Sequence, residues 1–398
     1  MKRCVWIAYA LAAATAGSCV PTTTSPTNSA DASLVADETS EVQTWAGADS
    51  GNITRPVPTQ PPVTATASLP PSGHSLLLAM IAGEGGLTGA FLDPMSGEVT
   101  PGPSGYLPVS WSPSSDRLLL IDSGRHAYYV GSSIGQEPLL VLPAGYRAPD
   151  LVGWWLNDQE VLLPLHDPSA GHIGYSWYLV DTIERTVRPA GTAASEPSVI
   201  YAASPDGTYW VEEDTRGVQV VARDGWRTPL WPEGEVSVEQ VPYPPRVAIL
   251  PDASAVLFPG CTGSWAAQTL SCEIIRADLR DRELVSYGRI YHIGSHGGVM
   301  SLDVSSDGRR LAFYSYPEEL VIVLDLNSLE VSRTLDLSGA TADATLAWSP
   351  DSRVLAVSRA LASGSDVVLV NVISGEERSI PIPDGYATVL DWRNLPPR

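Results

Sequence analysis

One short segment matches the nucleophile motif of the serine hydrolases. Gly131, Ser133 and Gly135 have the spacing G-x-S-x-G, in which the serine attacks a carbonyl carbon. That motif works only on a sharp strand-to-helix turn in an α/β sheet. Here it follows the strand-like residues 128–130 and precedes a second strand-like segment. We therefore interpret it as a hairpin turn and predict no catalytic residue in it.

Two pairs of histidines are close enough in sequence to suggest metal ligands. The pairs are His166 with His172 and His292 with His296. Neither pair belongs to an H-E-x-x-H helix, and neither has cysteine nearby at zinc spacing. We interpret all four as solvated loop residues on the third and sixth units of the repeat described below, and we predict no metal site.

Two short runs of carboxylates could also bind a cation. Glu212-Glu213-Asp214 and Glu318-Glu319 each lie between two strand-like segments. Carboxylates on loops can bind calcium, but such residues are more often exposed in turns, which is how we interpret them. The glycine-rich residues 83–86 are followed by neither a helix nor a lysine, so we also predict no cofactor.

Two cysteines in the body of the chain are predicted to form a disulfide. Cys261 and Cys272 flank an insertion between two apolar runs that resemble paired strands, and they would lie opposite each other in an antiparallel hairpin. Trp265 lies between them, and a tryptophan on a short braced loop is a good anchor for a binding interface. We predict Trp265 as a binding residue. The alternative is that Trp265 packs on its own repeat and the bridge only stabilises a long hairpin.

Composition excludes several classes of function. The 398 residues include 45 acidic and 24 basic residues, a net charge of −21, which disfavours a nucleic-acid partner. Lys2 is the only lysine, so chemistry that needs a lysine ammonium is excluded from the rest of the chain. Hydrophobic residues make up 44%, which is enough to bury a sizeable core.

A repeat of about 45 residues must position these side chains. Its unit is an apolar strand, a turn of the type Ser-Pro-Asp, and a second apolar strand. The residues before the turns are at positions 111, 155, 203, 249, 304, 348 and 392, with spacings of 44, 48, 46, 55, 44 and 44. This period, with four short strands per unit, is typical of a β-propeller. Four of the seven positions hold tryptophan, which we interpret as packing between blades.

Seven turns predict seven four-stranded blades, of which the first is split. Its inner strand is predicted to be Tyr386–Trp392, and its outer strands Ser75–Ile81, Gly89–Asp93 and Glu98–Pro101. This closure would cover two open sheet edges. The alternative uses Val63–Leu69 as the inner strand of the first blade.

The repeated strand–Ser-Pro-Asp-Gly–strand phrase, clearest at residues 204–207 and 349–351, resembles that of the TolB-like and WD-repeat-like propellers of bacterial envelope proteins. The resemblance extends over residues 73–395. It implies an all-β fold that is a single seven-bladed propeller. It does not imply one activity, because propellers include scaffolds, receptors and enzymes.

The first 72 residues are predicted to export and anchor the protein. Residues 1–18 have a basic start and an apolar core, as a signal peptide does. Cys19 follows small residues and resembles the lipidated cysteine of bacterial lipoproteins. Residues 19–72 would then be the lipidated cysteine and a disordered linker rich in Ser, Thr and Pro. The alternative is cleavage after Ala16, which would leave a secreted periplasmic or extracellular protein.

Together these features predict a monomeric, non-catalytic binding module at the cell envelope. Its partner would be a protein or a glycan, it would contact the membrane through the N-terminal lipid, and it would not bind nucleic acid. The alternative is a propeller enzyme, a hydrolase or a lactonase, with a metal or an acidic site in the central channel. Such an enzyme should bring acidic or histidine side chains from several blades to one mouth of the channel.

Overall fold

The structure is a computed structural model that describes most of the chain after residue 74. It describes residues 75–83, 86–114, 116–124, 126–132, 135–141, 153–166, 175–190, 199–214, 217–230, 247–262, 271–295, 298–316, 318–338, 344–361, 364–382 and 385–394. All of them belong to one unit, Thr54–Arg398. The predicted signal peptide, Cys19 and the linker lie outside the described residues. Within the described ranges, no helix has the length and apolar character needed to cross a membrane.

The fold is a ring of seven blades, and each blade is a four-stranded antiparallel sheet. Blade 1 consists, from the innermost strand outward, of β28 (Tyr386–Asn394), β1 (Ser75–Gly83), β2 (Gly86–Leu92) and β3 (Val99–Pro101). Blade 2 consists of β4 (Tyr106–Trp111), β5 (Leu118–Asp122), β6 (Ala127–Ser132) and β7 (Gly135–Val141). Blade 3 consists of β8 (Trp154–Trp155), β9 (Glu160–His166), β10 (Tyr175–Asp181) and β11 (Val187–Pro189). Blade 4 consists of β12 (Val199–Ala203), β13 (Tyr209–Asp214), β14 (Gly217–Ala222) and β15 (Arg227–Pro229). Blade 5 consists of β16 (Ala248–Ile249), β17 (Ala255–Thr262), β18 (Ser271–Arg280) and β19 (Glu283–Ser295). Blade 6 consists of β20 (Gly298–Val304), β21 (Arg310–Tyr316), β22 (Leu320–Asp325) and β23 (Val331–Asp336). Blade 7 consists of β24 (Leu346–Trp348), β25 (Val354–Leu361), β26 (Gly364–Asn371) and β27 (Glu377–Ile382).

Blade 1 is closed by the C-terminal strand, as the sequence predicts. Strand β28 pairs antiparallel with β1, with Leu77 opposite Trp392 and Met80 opposite Thr388. The alternative with Val63–Leu69 as the inner strand is wrong, because β28 occupies the inner position of that sheet.

The Ser-Pro-Asp turns fold through their own side chains. In blade 4 the Ser204 hydroxyl accepts a hydrogen bond from the Tyr209 N–H at 3.0 Å and donates one to Asp206 at 2.6 Å. Gly207 has φ +65°, and a Cβ there would lie 2.5 Å from Cβ of Leu156 on the preceding blade. The same serine–aspartate bond occurs at Ser305–Asp307 and Ser349–Asp351. The turns between the first and second strands are thus stabilised by hydrogen bonds between polar groups of the turn itself.

A second turn recurs between the third and fourth strands. In it an Asp or Asn side chain accepts hydrogen bonds from the N–H groups two and three residues later; Asp325, for example, bonds Asn327 at 2.9 Å and Ser328 at 3.0 Å. Among the turns that the structure describes, four have this pattern, beginning at Asp93, Asp181, Asp325 and Asn371. The residue four positions after each of these has positive φ: Gly97, Arg185, Leu329 and Gly375.

The two ends of the propeller differ in the length of their connections. Alternating strand direction places every first-to-second and third-to-fourth strand turn at one end, which we call the turn end, and these turns have at most the six residues 112–117. Turns of adjacent blades bond one another there, as Asp307 N does to Ser352 Oγ at 3.0 Å. The connections at the opposite end, the loop end, include the longest, residues 230–247.

The tryptophans of the repeat bind neighbouring blades together. The indole N–H of Trp155 donates to the carbonyl oxygen of Ser110 on blade 2, and that of Trp348 donates to the carbonyl oxygen of Asp303 on blade 6, both at 3.2 Å. Each acceptor lies one repeat earlier in the sequence. Packing between blades, predicted for these tryptophans, is confirmed. Trp111 is equally buried but its indole N–H has no hydrogen-bond partner.

This difference predicts unequal costs for one substitution. Trp348→Phe should lower the free energy of unfolding by about 1–2 kcal/mol more than Trp111→Phe, because it also leaves the Asp303 carbonyl unpaired. Urea denaturation followed by circular dichroism measures both, and Trp111→Phe controls for the lost ring volume. Equal losses would show that the indole hydrogen bond contributes nothing to holding the blades together.

Candidate functional site

Two carboxylates lie on the innermost strands, around the axis of the ring. Asp303 is on β20 of blade 6, and Asp391 is on β28 of blade 1. Each lies one residue before the repeat position that precedes the turn: Asp303 precedes Val304, and Asp391 precedes Trp392. The other blades have serine, tryptophan or alanine there: Ser110, Trp154, Ala202, Ala248 and Ala347.

Asp391 joins blade 1 to blade 2. Its Oδ1 accepts a hydrogen bond from its own neighbour, the Trp392 N–H at 2.8 Å, and its Oδ2 accepts one from the Trp111 N–H at 3.1 Å. Arg393 Nε donates to the same carboxylate at 3.1 Å. The side chain therefore satisfies a backbone N–H on the open edge of the next inner strand.

Asp303 makes the corresponding link between blades 6 and 7. Its Oδ1 accepts the Val304 N–H at 2.9 Å, and its carboxylate also bonds the backbone of Trp348. Burial raises the pKa of Asp303 to about 7, and the charge of Asp391 adds to this, while the backbone hydrogen bonds and Arg393 oppose it. A carboxylate that titrates near neutral pH can move a proton, but here both of its links are to backbone groups of the ring.

The metal-ligand candidates that fall on described residues do not come together. No group of three or more His, Cys, Asp or Glu among the described residues could hold a metal ion. Ser132 and Gly135 face each other across the β6–β7 hairpin, so the G-x-S-x-G segment is a hairpin turn, as predicted. Ser133 itself lies outside the described residues.

The histidine interpretation needs one correction. His292 lies on β19 of blade 5, not on a loop of the sixth blade, and His166 is the last residue of β9. The boundary between blades 5 and 6 was expected too early in the sequence, because the outer strand of blade 5 extends to Ser295. His292 is exposed, with Nδ1 3.7 Å from Glu273 Oε1. His172 and His296 lie outside the described residues.

Glu212 is buried, contrary to the prediction of an exposed turn. It is 5% exposed in β13, where it accepts a hydrogen bond from the Trp210 indole at 2.9 Å and pairs with Arg227. A buried carboxylate requires such partners, and both are on the same blade. The pair is a structural element of blade 4. Glu318, in contrast, lies in an exposed turn between β21 and β22, as predicted.

The predicted disulfide is present in blade 5. Cys261 of β17 and Cys272 of β18 are directly opposite in the ladder, with an S–S distance of 2.08 Å and a Cα–Cα distance of 4.1 Å. Both cysteines are buried. The bridge closes residues 263–270 at the loop end. Trp265 is among these residues, outside the described part of the chain, so its binding role stays a prediction.

The outer strand of blade 5 borders this hairpin with charged groups. Strand β19 has 13 residues, while the outermost strands of the other blades have three to seven. Glu273, next to Cys272, lies opposite His292 and pairs with Arg289 at 2.8 Å. The base of the hairpin is therefore closed by the bridge and bordered by an ion pair whose arginine is largely exposed.

The fold places this chain in the class of seven-bladed β-propellers. No model of a known protein family matches the sequence, and no curated protein matches it. Among solved structures, dihydro-heme d1 dehydrogenase NirN in complex with DHE is similar, with a TM-score of 0.52, 15% identity, and coverage of 84% of this chain and 79% of that chain. At this identity the likeness shows the fold alone.

Weaker likenesses extend to other propellers. TolB from Acinetobacter baumannii has a TM-score of 0.45 and 14% identity, covering 77% of this chain and 78% of that chain. Oligogalacturonate lyase in complex with manganese has a TM-score of 0.49 and 12% identity, covering 77% and 85%. The seven four-stranded blades confirm the propeller fold that the sequence resemblance to TolB-like and WD-repeat-like proteins implies.

The raised pKa of Asp303 predicts a pH dependence of stability. The group has a pKa near 3.8 when unfolded and about 7 when folded, so its contribution is fully present below pH 4 and is lost as pH rises through 7. The wild type should lose up to ~1.4 kcal/mol per pH unit over this window. In Asp303→Asn this slope should disappear. Denaturant titrations from pH 4 to pH 8 measure it.

A matched control is Asp206→Asn. Burial raises the pKa of Asp206, but hydrogen bonds from Ser204 and Thr208 outweigh burial and lower it below the ordinary value. This variant should therefore keep the wild-type slope above pH 4. If Asp303→Asn kept that slope as well, the titrating group would be another residue.

Proposed function

We propose that this protein is an exported, lipid-anchored β-propeller that binds a protein or glycan partner at the cell envelope without catalysis. The disulfide in blade 5 supports export, because disulfides persist in oxidising compartments. The N-terminal signal and Cys19 support a lipid anchor. The anchor, the envelope and the partner all belong to the proposal.

The observation that carries the binding role is the braced hairpin of blade 5. Cys261 and Cys272 lie opposite each other in a regular ladder, and the loop between them leaves the sheet from a fixed base. A bridge closing a loop of this size stabilises by ~3 kcal/mol in the chain-entropy model and restricts the shape of the loop. Trp265 lies between the two cysteines in sequence, and a tryptophan in a loop closed by a bridge would bring a large side chain to the partner at a reduced entropic cost.

An enzyme is the second candidate, and one observation favours it. Asp303 has a pKa near neutrality on an inner strand and interacts electrostatically with Asp391. Its carboxylate is, however, engaged by backbone N–H groups of two inner strands, which is a structural use. Turnover of a candidate substrate that is lost in Asp303→Asn, while the variant stays fully folded by circular dichroism, would favour the enzyme.

Trp265→Ala tests the binding site. The variant should lose most of its capture of the envelope partner, with a melting temperature within about 2 °C of wild type, because a loop residue contributes little to the core. The measurement is affinity capture from envelope extracts, with bound proteins and glycans quantified separately.

Tyr386→Ala is the matched control for that experiment. Tyr386 is an exposed aromatic residue at the loop end, at the start of β28 and away from the braced loop. Its loss should leave capture unchanged. Equal capture by Trp265→Ala and wild type, or a loss that unfolding accounts for, would limit Trp265 to a structural role.

Cys19→Ala tests the anchor. The wild type should fractionate with membranes and carry the added mass of the acyl chains, because lipid anchoring depends on those chains. The variant should move to the soluble fraction. A variant that stays with membranes at an unchanged mass would contradict the lipoprotein proposal.

A further inference from the structure

The position with positive φ in the recurring turns between the third and fourth strands holds two kinds of residue. In blades 3 and 6 it has a side chain: Arg185 with φ +56° and Leu329 with φ +59°. In blades 1 and 7 it is glycine: Gly97 with φ +78° and Gly375 with φ +79°. Because equivalent turns accommodate a side chain in two blades, the backbone conformation alone does not explain the glycines of the other two.

Arginines of the preceding blade in the ring explain the two glycines. A Cβ on Gly97 would lie 2.9 Å from Nη2 of Arg378, and a Cβ on Gly375 would lie 2.6 Å from Nη1 of Arg333, which is closer than real Cβ atoms approach other atoms. Arg378 is on β27 of blade 7 and reaches blade 1. Arg333 is on β23 of blade 6 and reaches blade 7. Glycine therefore occurs in these turns where a neighbouring arginine fills the space that a side chain would need.

The two arginines occupy equivalent positions on the outermost strands of their blades. Arg333 lies opposite Val323 of β22, and Arg378 lies opposite Leu369 of β26. Val323 and Leu369 each lie two residues before the side chain that begins the recurring turn of their own blade. The same contact therefore occurs twice, once between blades that are consecutive in the chain and once across the closure of the ring.

The guanidinium groups bind the backbone of the turns that they reach. Arg378 Nη1 donates to the carbonyl oxygen of Pro94 at 3.1 Å and to that of Met95 at 2.5 Å. Arg333 Nη2 donates at 3.5 Å to the carbonyl oxygen of Ile373, which occupies the position of Met95 in its turn. Hydrogen bonds from a charged donor are stronger than those between neutral groups. The bond of Arg333 is longer, and among the described residues its Nε has no partner, so we expect Arg378 to hold its turn more firmly.

We propose that Arg378 and Arg333 are clasps that hold the outer parts of neighbouring blades together, and that Gly97 and Gly375 provide the space for them. The clasp of Arg378 closes the ring at its rim, because Arg378 and Pro94 are 284 positions apart in sequence. Strand β28 closes the ring at its axis by pairing with β1. Loss of the outer closure should loosen the rim between blades 7 and 1 while the inner closure keeps the ring intact.

Arg378→Met tests the clasp, because methionine keeps an apolar stem and removes the guanidinium. The probe is the Gly97 N–H, which donates to the Asp93 carbonyl oxygen at 2.8 Å within the clasped turn. We expect its hydrogen exchange to become about tenfold faster, since charged hydrogen bonds are lost from this turn. The Leu329 N–H makes the same bond to Asp325 at 2.8 Å in a turn whose positive-φ residue has a side chain, so its exchange should be unchanged.

Gly97→Ala tests the role of the glycine. The new Cβ should displace the guanidinium, but it also adds the backbone cost of a side chain at positive φ. Gly105→Ala is the matched control for that cost, since Gly105 has φ +80° and its Cβ would meet no described atom within 4 Å apart from its chain neighbours. We expect Gly97→Ala to lower the melting temperature by about 2 °C more than Gly105→Ala does. In the Arg378→Met background the two substitutions should have equal effects.

Hydrogen exchange is measured by mass spectrometry on peptides that cover the two turns, and circular dichroism checks that all variants are folded. Unchanged exchange of residues 93–98 in Arg378→Met would show that the arginine does not hold this turn. Equal acceleration in residues 93–98 and 325–330 would show a loss of overall stability in place of a local clasp. An extra cost of Gly97→Ala that persists without Arg378 would show that the glycine is needed for another reason. Each of these results would overturn the proposal.

Discussion

Every blade of this ring has an inner strand with one unpaired edge, and the structure depends on how neighbouring blades satisfy it. Asp391 accepts the backbone N–H of Trp111 on the next blade. Between blades 7 and 1, side chains of the earlier blade likewise accept backbone N–H groups of the later one. The Val389 N–H donates to Thr345 Oγ1 at 2.9 Å, and the Ala387 N–H donates to Ser365 Oγ at 3.0 Å. Buried backbone groups must be paired, so a few polar side chains hold the sheets in a ring.

The parts of the fold that sequence reasoning predicted are those made by local chemistry. Ser204 and Asp206 form their turn with residues at most five positions away, so each repeat can be recognised from its local sequence. The closure of blade 1 was predictable because Trp392 continues the repeat at a spacing of 44 and Ser75–Ile81 needed an inner partner strand, for which Val63–Leu69 was the competing candidate.

The parts that escaped prediction depend on neighbours distant in sequence. Asp303 and Asp391 matter because of backbone N–H groups on the following blade, 45 or more residues away or across the ring closure. Their only sequence signal is a carboxylate immediately before the anchor residue. Glu212 was placed in a turn because its run of acids is polar. Its burial is explained by its partners on the same blade, the Trp210 indole and Arg227 on the fourth strand.

The pairing of β28 with β1 also limits when the protein can become native. Ser75 and Trp392 are 317 residues apart in sequence, so β1 can pair early with β2, but its inner edge lacks a partner until the other six blades have been synthesised. Strand pairings between residues so far apart in sequence form slowly, and until they form the unpaired strand edge is prone to aggregation. The hairpin of blade 5 is a local structure that can oxidise early, whereas the first blade completes last. A chaperone that shields open strand edges during folding would therefore act on β1 more than on any other described element.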